Sequence, residues 1–210
     1  MRVDYDLFKN MLKGSVDIIR VKCDELSVLD AAIGDGDHGV TMLRAMEKVN
    51  SVMEAIPKPS IAELLNEIGW ALLDIDGGAT GPLYGSLFLG MAEAVAGQET
   101  LDEERFARMF ELGLESIEKQ TKARIGDKTL MDALIPAVTS LRSSVQQGLE
   151  IPVMLELAAA AASQGAETTK NFPAHYGRAK FQGERTLGHP DPGSVSMSCM
   201  FKGMLNGLTG

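Results

Sequence analysis

This sequence predicts an all-α fold. Apolar residues recur with helical period along most of the chain, alternating β-branched stretches long enough for a strand are almost absent, and capping signals precede the apolar stripes. A first helix over 4–29 opens on Leu7, Met11, Val16 and Ile19, and a second over 38–54 carries Met42, Met46, Val49 and Met53 on one face. Pro57-Lys58-Pro59 then breaks the chain. Ser60 with Glu63 makes a capping box for a third helix, whose buried face is Ile61, Leu64, Leu65, Ile68 and Leu72. Pro82 is placed for the first turn of a fourth. Thr100 with Glu103 marks the start of a fifth, followed by Phe106, Phe110, Leu114 and Ile117. Thr129 with Asp132 starts a sixth through Leu130, Leu134, Val138, Leu141 and Val145, with Pro136 expected to bend it and Gly148 to end it. Pro152 opens an alanine-rich seventh to about Lys170, and the last runs from about Ser194 to Leu208 on Met197, Phe201 and Met204. The expectation is about eight helices.

With 210 residues, 45% of them hydrophobic, the chain can bury a substantial core. No linker rich in Gly, Ser or Pro divides it, so residues 1–210 are read as a single domain. The 12 methionines fall mostly on the helical stripes and are read as adaptable core filling. Twenty basic against 29 acidic residues give a formal charge of -9, which argues against nucleic acid as a partner and would repel a nucleotide unless cations intervene. Neither an apolar membrane span nor a signal peptide is visible. Cys23 and Cys199 lie far apart in sequence and support neither a zinc site nor a disulfide framework. A protein of the reduced cytoplasm, without a membrane partner, is expected.

Chemistry concentrates between Asp30 and Thr41, where three carboxylates and three glycines fill the turn before the second helix. Gly34-Asp35-Gly36-Asp37-His38-Gly39 satisfies the dinucleotide pattern G-x-G-x-x-G formally. A helix rather than a strand precedes it, however, and two aspartates would repel a bare pyrophosphate. An EF-hand also fails, because its later ligands would fall on Gly39 and Met46. The composition suits magnesium, which takes a few carboxylates and completes its octahedron with water and substrate phosphate. Asp30, Asp35 and Asp37 are the candidate ligands, Asp30 from the end of the first helix and the others from the turn.

Three further runs depart from helical monotony. Gly77-Gly78-Ala79-Thr80-Gly81-Pro82 at a helix start could present backbone amides to an anion, with the Thr80 hydroxyl beside them, or could be a plain turn with Thr80 as cap. Gly126-Asp127-Lys128-Thr129 is again a glycine turn into a helix, and capping plus a solvated lysine accounts for it better than a phosphate site does. From Gly177-Arg178 to His189-Pro190-Asp191-Pro192-Gly193 the chain is long and polar, as active-site lids commonly are. It holds an arginine suited to phosphate and a turn feeding the last helix.

These four runs, in this order and spacing, resemble the nucleotide-binding L subunit of bacterial dihydroxyacetone kinases, and the likeness spans essentially the whole chain. The resemblance implies a closed barrel of eight antiparallel helices with the nucleotide site at one end. It makes Asp30, Asp35 and Asp37 the ligands of two Mg²⁺ ions that bridge the phosphates of ADP or ATP. It assigns phosphate contacts to His38, Gly39, Val40, Thr41, Ala79 and Thr80. Thr121 and Leu130 then lie near the base, while Arg178 and Asp191, Pro192 and Gly193 belong to the lid. Thr41 stands where the family usually has Asn, Thr121 where it often has Gly, and Leu130 where Met is frequent. No covalent catalytic residue is expected on this chain, because phosphoryl transfer needs charge neutralisation and in-line positioning above all.

The implied activity is that of a phosphotransferase subunit, active only with a K subunit that carries the ketose. ADP would be rephosphorylated in place by a phosphotransferase-system M subunit. The alternatives are a subunit that exchanges ATP and serves another short ketose such as a tetrulose, and an ADP-form regulator of a transcription factor.

Overall fold

A computed structural model describes residues 1–55, 60–76 and 78–210. The expected break at Pro57-Lys58-Pro59 and the first glycine of the 77–82 run lie outside them. Among the described residues there are eight α-helices and no strand: α1 (Tyr5–Ile33), α2 (His38–Ala55), α3 (Ile61–Leu73), α4 (Thr80–Ala94), α5 (Glu103–Glu118), α6 (Met131–Gln146), α7 (Ile151–Thr168) and α8 (Pro192–Thr209). Two 3₁₀ segments, Thr169–Asn171 and Ala179–Thr186, shape the stretch expected to be loop.

Local chemistry sets the helix starts. Asp4 accepts from the Leu7 amide at α1, and Ser60 and Glu63 complete the expected capping box at α3. At α5 the cap is Asp102, whose carboxylate accepts from the Arg105 amide, and not Thr100. A carboxylate immediately before the acidic first turn outcompetes the Thr100/Glu103 spacing. Thr80 is the first residue of α4 and makes no capping bond, so it is not the cap that a plain turn would require. At α6 the box forms by half. Asp132 takes the Thr129 amide at 2.7 Å, but the Thr129 hydroxyl accepts from Met131 rather than Asp132. Pro136 sits inside α6, and Asp191 caps α8 through the Ser194 amide at 2.6 Å.

Each helix packs on its successor, and α8 packs on α1, so the ring closes. The last contact is intimate: Ser15 donates to the Met200 carbonyl at 2.8 Å, and a Cβ on Gly14 would lie 2.1 Å from the Gly203 oxygen. One continuous core fills the ring, with Phe8, Phe88, Phe106, Phe110 and Phe201 among its largest buried side chains. Met1 aside, every methionine is buried, so these side chains fill the core and form no open groove. Leu7, Leu114, Val145 and Leu208 of the expected stripes are only half-buried, and Phe8 takes the innermost place on the first turn of α1.

An up-and-down ring puts alternate connections at the same end. The turns α1–α2, α3–α4, α5–α6 and α7–α8 therefore share one end, and they are the four runs that the sequence marks as unusual. The turns at the other end, α4–α5 and α6–α7 among them, carry no such composition.

Candidate functional site

At the marked end the four turns surround a cavity of about 470 Å³, within the size range of small-molecule sites. Asp30 projects from the last turn of α1, and Asp35 and Asp37 from the turn that follows. Their carboxylate oxygens can be chosen so that all three lie within 4.8 Å of one another. Glycine makes this approach possible. A Cβ at Gly34 would stand 2.4 Å from Asp30 Oδ1, and Gly36 holds φ +81, a left-handed conformation that side chains rarely adopt. Asp30 Oδ2 also accepts the His38 amide at 3.2 Å, which fixes that carboxylate and occupies the first amide of α2.

Three exposed or half-buried carboxylates held this close repel one another unless a cation sits among them. The chain supplies one itself: Arg178 forms ion pairs with both Asp35 and Asp37, the latter at 3.2 Å. An all-oxygen donor set opposite a guanidinium is the environment of a hard divalent cation, so the residues present fit Mg²⁺.

Most residues expected at the site do line the cavity. Asp30, Asp35, Asp37, His38, Thr41, Ala79, Thr80, Thr121, Leu130, Arg178, Asp191, Pro192 and Gly193 all border it. Gly39 and Val40 do not. Val40 is exposed, and Gly39 is pressed against α1, where a Cβ would lie 2.0 Å from the Cys23 carbonyl oxygen. Gly39 thus serves the close crossing of α1 and α2. Sequence reasoning missed several lining residues, among them Ile33, Leu83, Tyr84, Gln120 and Tyr176. Ile33 lies inside the Asp30–Thr41 run, and Leu83 and Tyr176 adjoin two of the other marked runs, so these three carried a local signal.

A buried brace lies beneath the cavity. Ser196 Oγ is 2.9 Å from the Gly193 carbonyl, 3.0 Å from His38 Nε2 and 3.3 Å from the Tyr84 hydroxyl. The one Ser196 proton goes to the carbonyl, so its lone pairs receive the Tyr84 O–H and the His38 Nε2–H. Burial holds the His38 imidazole below its usual pKa and the Tyr84 phenol well above its own. The neutral ring, with Nε2 engaged, ties the starts of α2 and α8 together. Asp191 is also buried, and burial pushes its carboxyl up to about 7, although the Ser194 amide pulls the other way.

Lys128 is not the solvated side chain that simple capping would leave, being 2% exposed. His175 pairs with Asp127 at 2.8 Å, and its amide donates to the Asp127 carbonyl, anchoring the roof of the cavity to the α5–α6 turn. No helix among the described residues is long and apolar enough to cross a membrane, and Cys23 and Cys199 are both free.

Eight helices closed into a ring, with a carboxylate cluster and a helix start facing one cavity, define an all-α protein with a small-molecule cavity whose residues fit an anion held with a metal. Comparison gives the family: the DAK2 domain matches residues 32–206, and the chain belongs to that family. It is 39% identical over 193 residues, 92% of each chain, to the PEP-dependent dihydroxyacetone kinase, ADP-binding subunit DhaL, of Escherichia coli. It is 38% identical over 180 residues to the ADP-binding subunit DhaL of PEP-dependent dihydroxyacetone kinase 1 of Listeria innocua, covering 86% of this chain and 85% of that one. Among solved structures, the dihydroxyacetone kinase from C. freundii in complex with AMP-PNP and Mg²⁺ superposes with a TM-score of 0.75 at 26% identity, over 98% of this chain. This chain spans about a third of that kinase, 34% of its length.

Proposed function

We propose that this chain is the nucleotide-binding subunit of a dihydroxyacetone kinase, a phosphotransferase part that binds ADP or ATP with Mg²⁺ and works with a separate subunit carrying the ketose. The observation that carries this reading is the carboxylate cluster, Asp30, Asp35 and Asp37, facing the first turn of α4 across the cavity. The names of the relatives and the AMP-PNP and Mg²⁺ of the solved kinase support it. Bound there, two Mg²⁺ ions would neutralise the phosphates and the charge that develops as the phosphoryl group leaves.

The chain's own residues do the rest. Asp30, Asp35 and Asp37 hold the cations, and the start of α4 at Ala79 and Thr80 offers amides and a dipole to phosphate oxygens. Thr41 adds a hydroxyl, and Leu130 and Thr121 bound the part of the cavity left for the base. Arg178 is placed to shift from carboxylate to phosphate as the cations enter, keeping the site near neutrality. Rephosphorylation of ADP in place by a phosphotransferase-system M subunit accords with the PEP dependence named for the relatives.

The test is a coupled assay in which dihydroxyacetone phosphate is followed on mixing this chain with a purified K subunit. Product should form only when both proteins are present, and with phosphoenolpyruvate and the phosphotransferase components as donor rather than with ATP alone. A K subunit that gains nothing from this chain under either donor would overturn the reading.

A further inference from the structure

Gly126-Asp127-Lys128-Thr129 looks like a phosphate-binding lysine turn, yet the ammonium has other work. Lys128 Nζ donates to the carbonyls of Thr169 at 2.5 Å, His189 at 2.6 Å and Phe172 at 3.3 Å, which accounts for all three of its protons. Among the described residues Lys128 is also the one non-glycine with positive φ, at 61. A lysine held in that conformation persists only where its surroundings fix it.

The three acceptors are not neighbours in sequence. Thr169 and Phe172 stand where the chain leaves α7, and His189 where it returns toward α8; between them runs the segment that bears Arg178. Other bonds join the same two ends: Gly188 donates to the Lys170 carbonyl at 2.9 Å, and the Asp191 amide to Thr169 Oγ1 at 2.8 Å. Burial works against the charged ammonium, and the nearby Asp191 and Asp132, both buried, work for it. We infer that Lys128 is a positioning residue whose ammonium clasps both ends of the segment carrying Arg178, holding the roof of the cavity closed and so setting how long a nucleotide stays. The second half of this inference rests on the function proposed above; the clasp itself does not.

The test compares Lys128→Ala with the wild type and with Leu64→Ala, a core control on α3 away from the cavity. Two rates are read: trypsin cleavage after Arg178, Lys180 or Arg185, and release of a fluorescent ADP analogue in magnesium. Both should rise about 10-fold or more in Lys128→Ala, the scale of losing hydrogen bonds to a charged group. Methylammonium, filling the place of the lost ammonium, should slow both again where sodium chloride of equal ionic strength does not. The Leu64→Ala control should melt earlier without faster release. Cleavage within about twofold of wild type in Lys128→Ala would overturn the clasp. If that variant does not fold, the wild type decides: in a ¹⁵N-lysine spectrum a buried ammonium with slowly exchanging protons is expected, and its absence overturns the clasp. A wild type that binds no nucleotide refutes the proposed function instead, while the cleavage rates still judge the clasp.

Discussion

Replacing Asp35 or Asp37 by Ala lowers magnesium-dependent ADP affinity by on the order of 100-fold, about 2.7 kcal/mol, while the melting temperature stays within about 2 °C. The two halves of this expectation have separate causes. Both side chains are about half exposed and, among the described residues, pair with Arg178 alone, so the fold does not depend on them. Binding does depend on them, because the nucleotide's negative charge meets a chain of net charge -9 and only bridging cations reconcile the two. Asp30→Ala should behave differently, since Asp30 also accepts the His38 amide. Calorimetric titration with ADP and magnesium, beside a thermal melt, checks both halves. Unchanged affinity in either turn variant would remove these residues from the metal site.

Gly39→Ala, at the second residue of α2, has the opposite profile: on the order of 3 kcal/mol of lost stability, a fall of about 10 °C in melting temperature. The added Cβ would sit 2.0 Å from the Cys23 carbonyl oxygen, 2.4 Å from Ser27 Oγ and 2.7 Å from the Ser27 amide nitrogen. Two of these atoms are backbone of α1, so relief requires the helices themselves to separate. The carboxylates on the connecting turn would move apart with them, and affinity for magnesium nucleotide would fall as a consequence of the changed fold. Differential scanning calorimetry of the variant is the check; a melting temperature equal to wild type would show that α1 and α2 do not cross this closely.

The contrast between these two positions shows what the sequence could and could not reveal. Helix periodicity, capping boxes and proline placement are local signals, and they located all eight helices. They missed by a residue or two where a stronger cap stood nearby, as at Asp102. The aspartate turn was legible because three carboxylates crowded among three glycines have little purpose apart from a cation. The other three runs stood out because glycine and charge interrupted the apolar pattern. That all four runs meet at one end follows from up-and-down connectivity once the helices are counted. The functions of Gly39 and Lys128 were not legible. Gly39 answers to a backbone atom of α1, and Lys128 to carbonyls 41 to 61 residues further along the chain. The brace of Tyr84, Ser196 and His38 is likewise an agreement among α4, α8 and α2 that no stretch of sequence contains.

Everything proposed for the site depends on Asp30, Asp35 and Asp37 holding a nucleotide through magnesium. The direct measurement is calorimetric titration of the nucleotide-stripped wild-type chain with ADP, once in magnesium and once in EDTA. One equivalent bound in magnesium and none in EDTA is the predicted result; no binding in either buffer, or the same affinity in both, would contradict it.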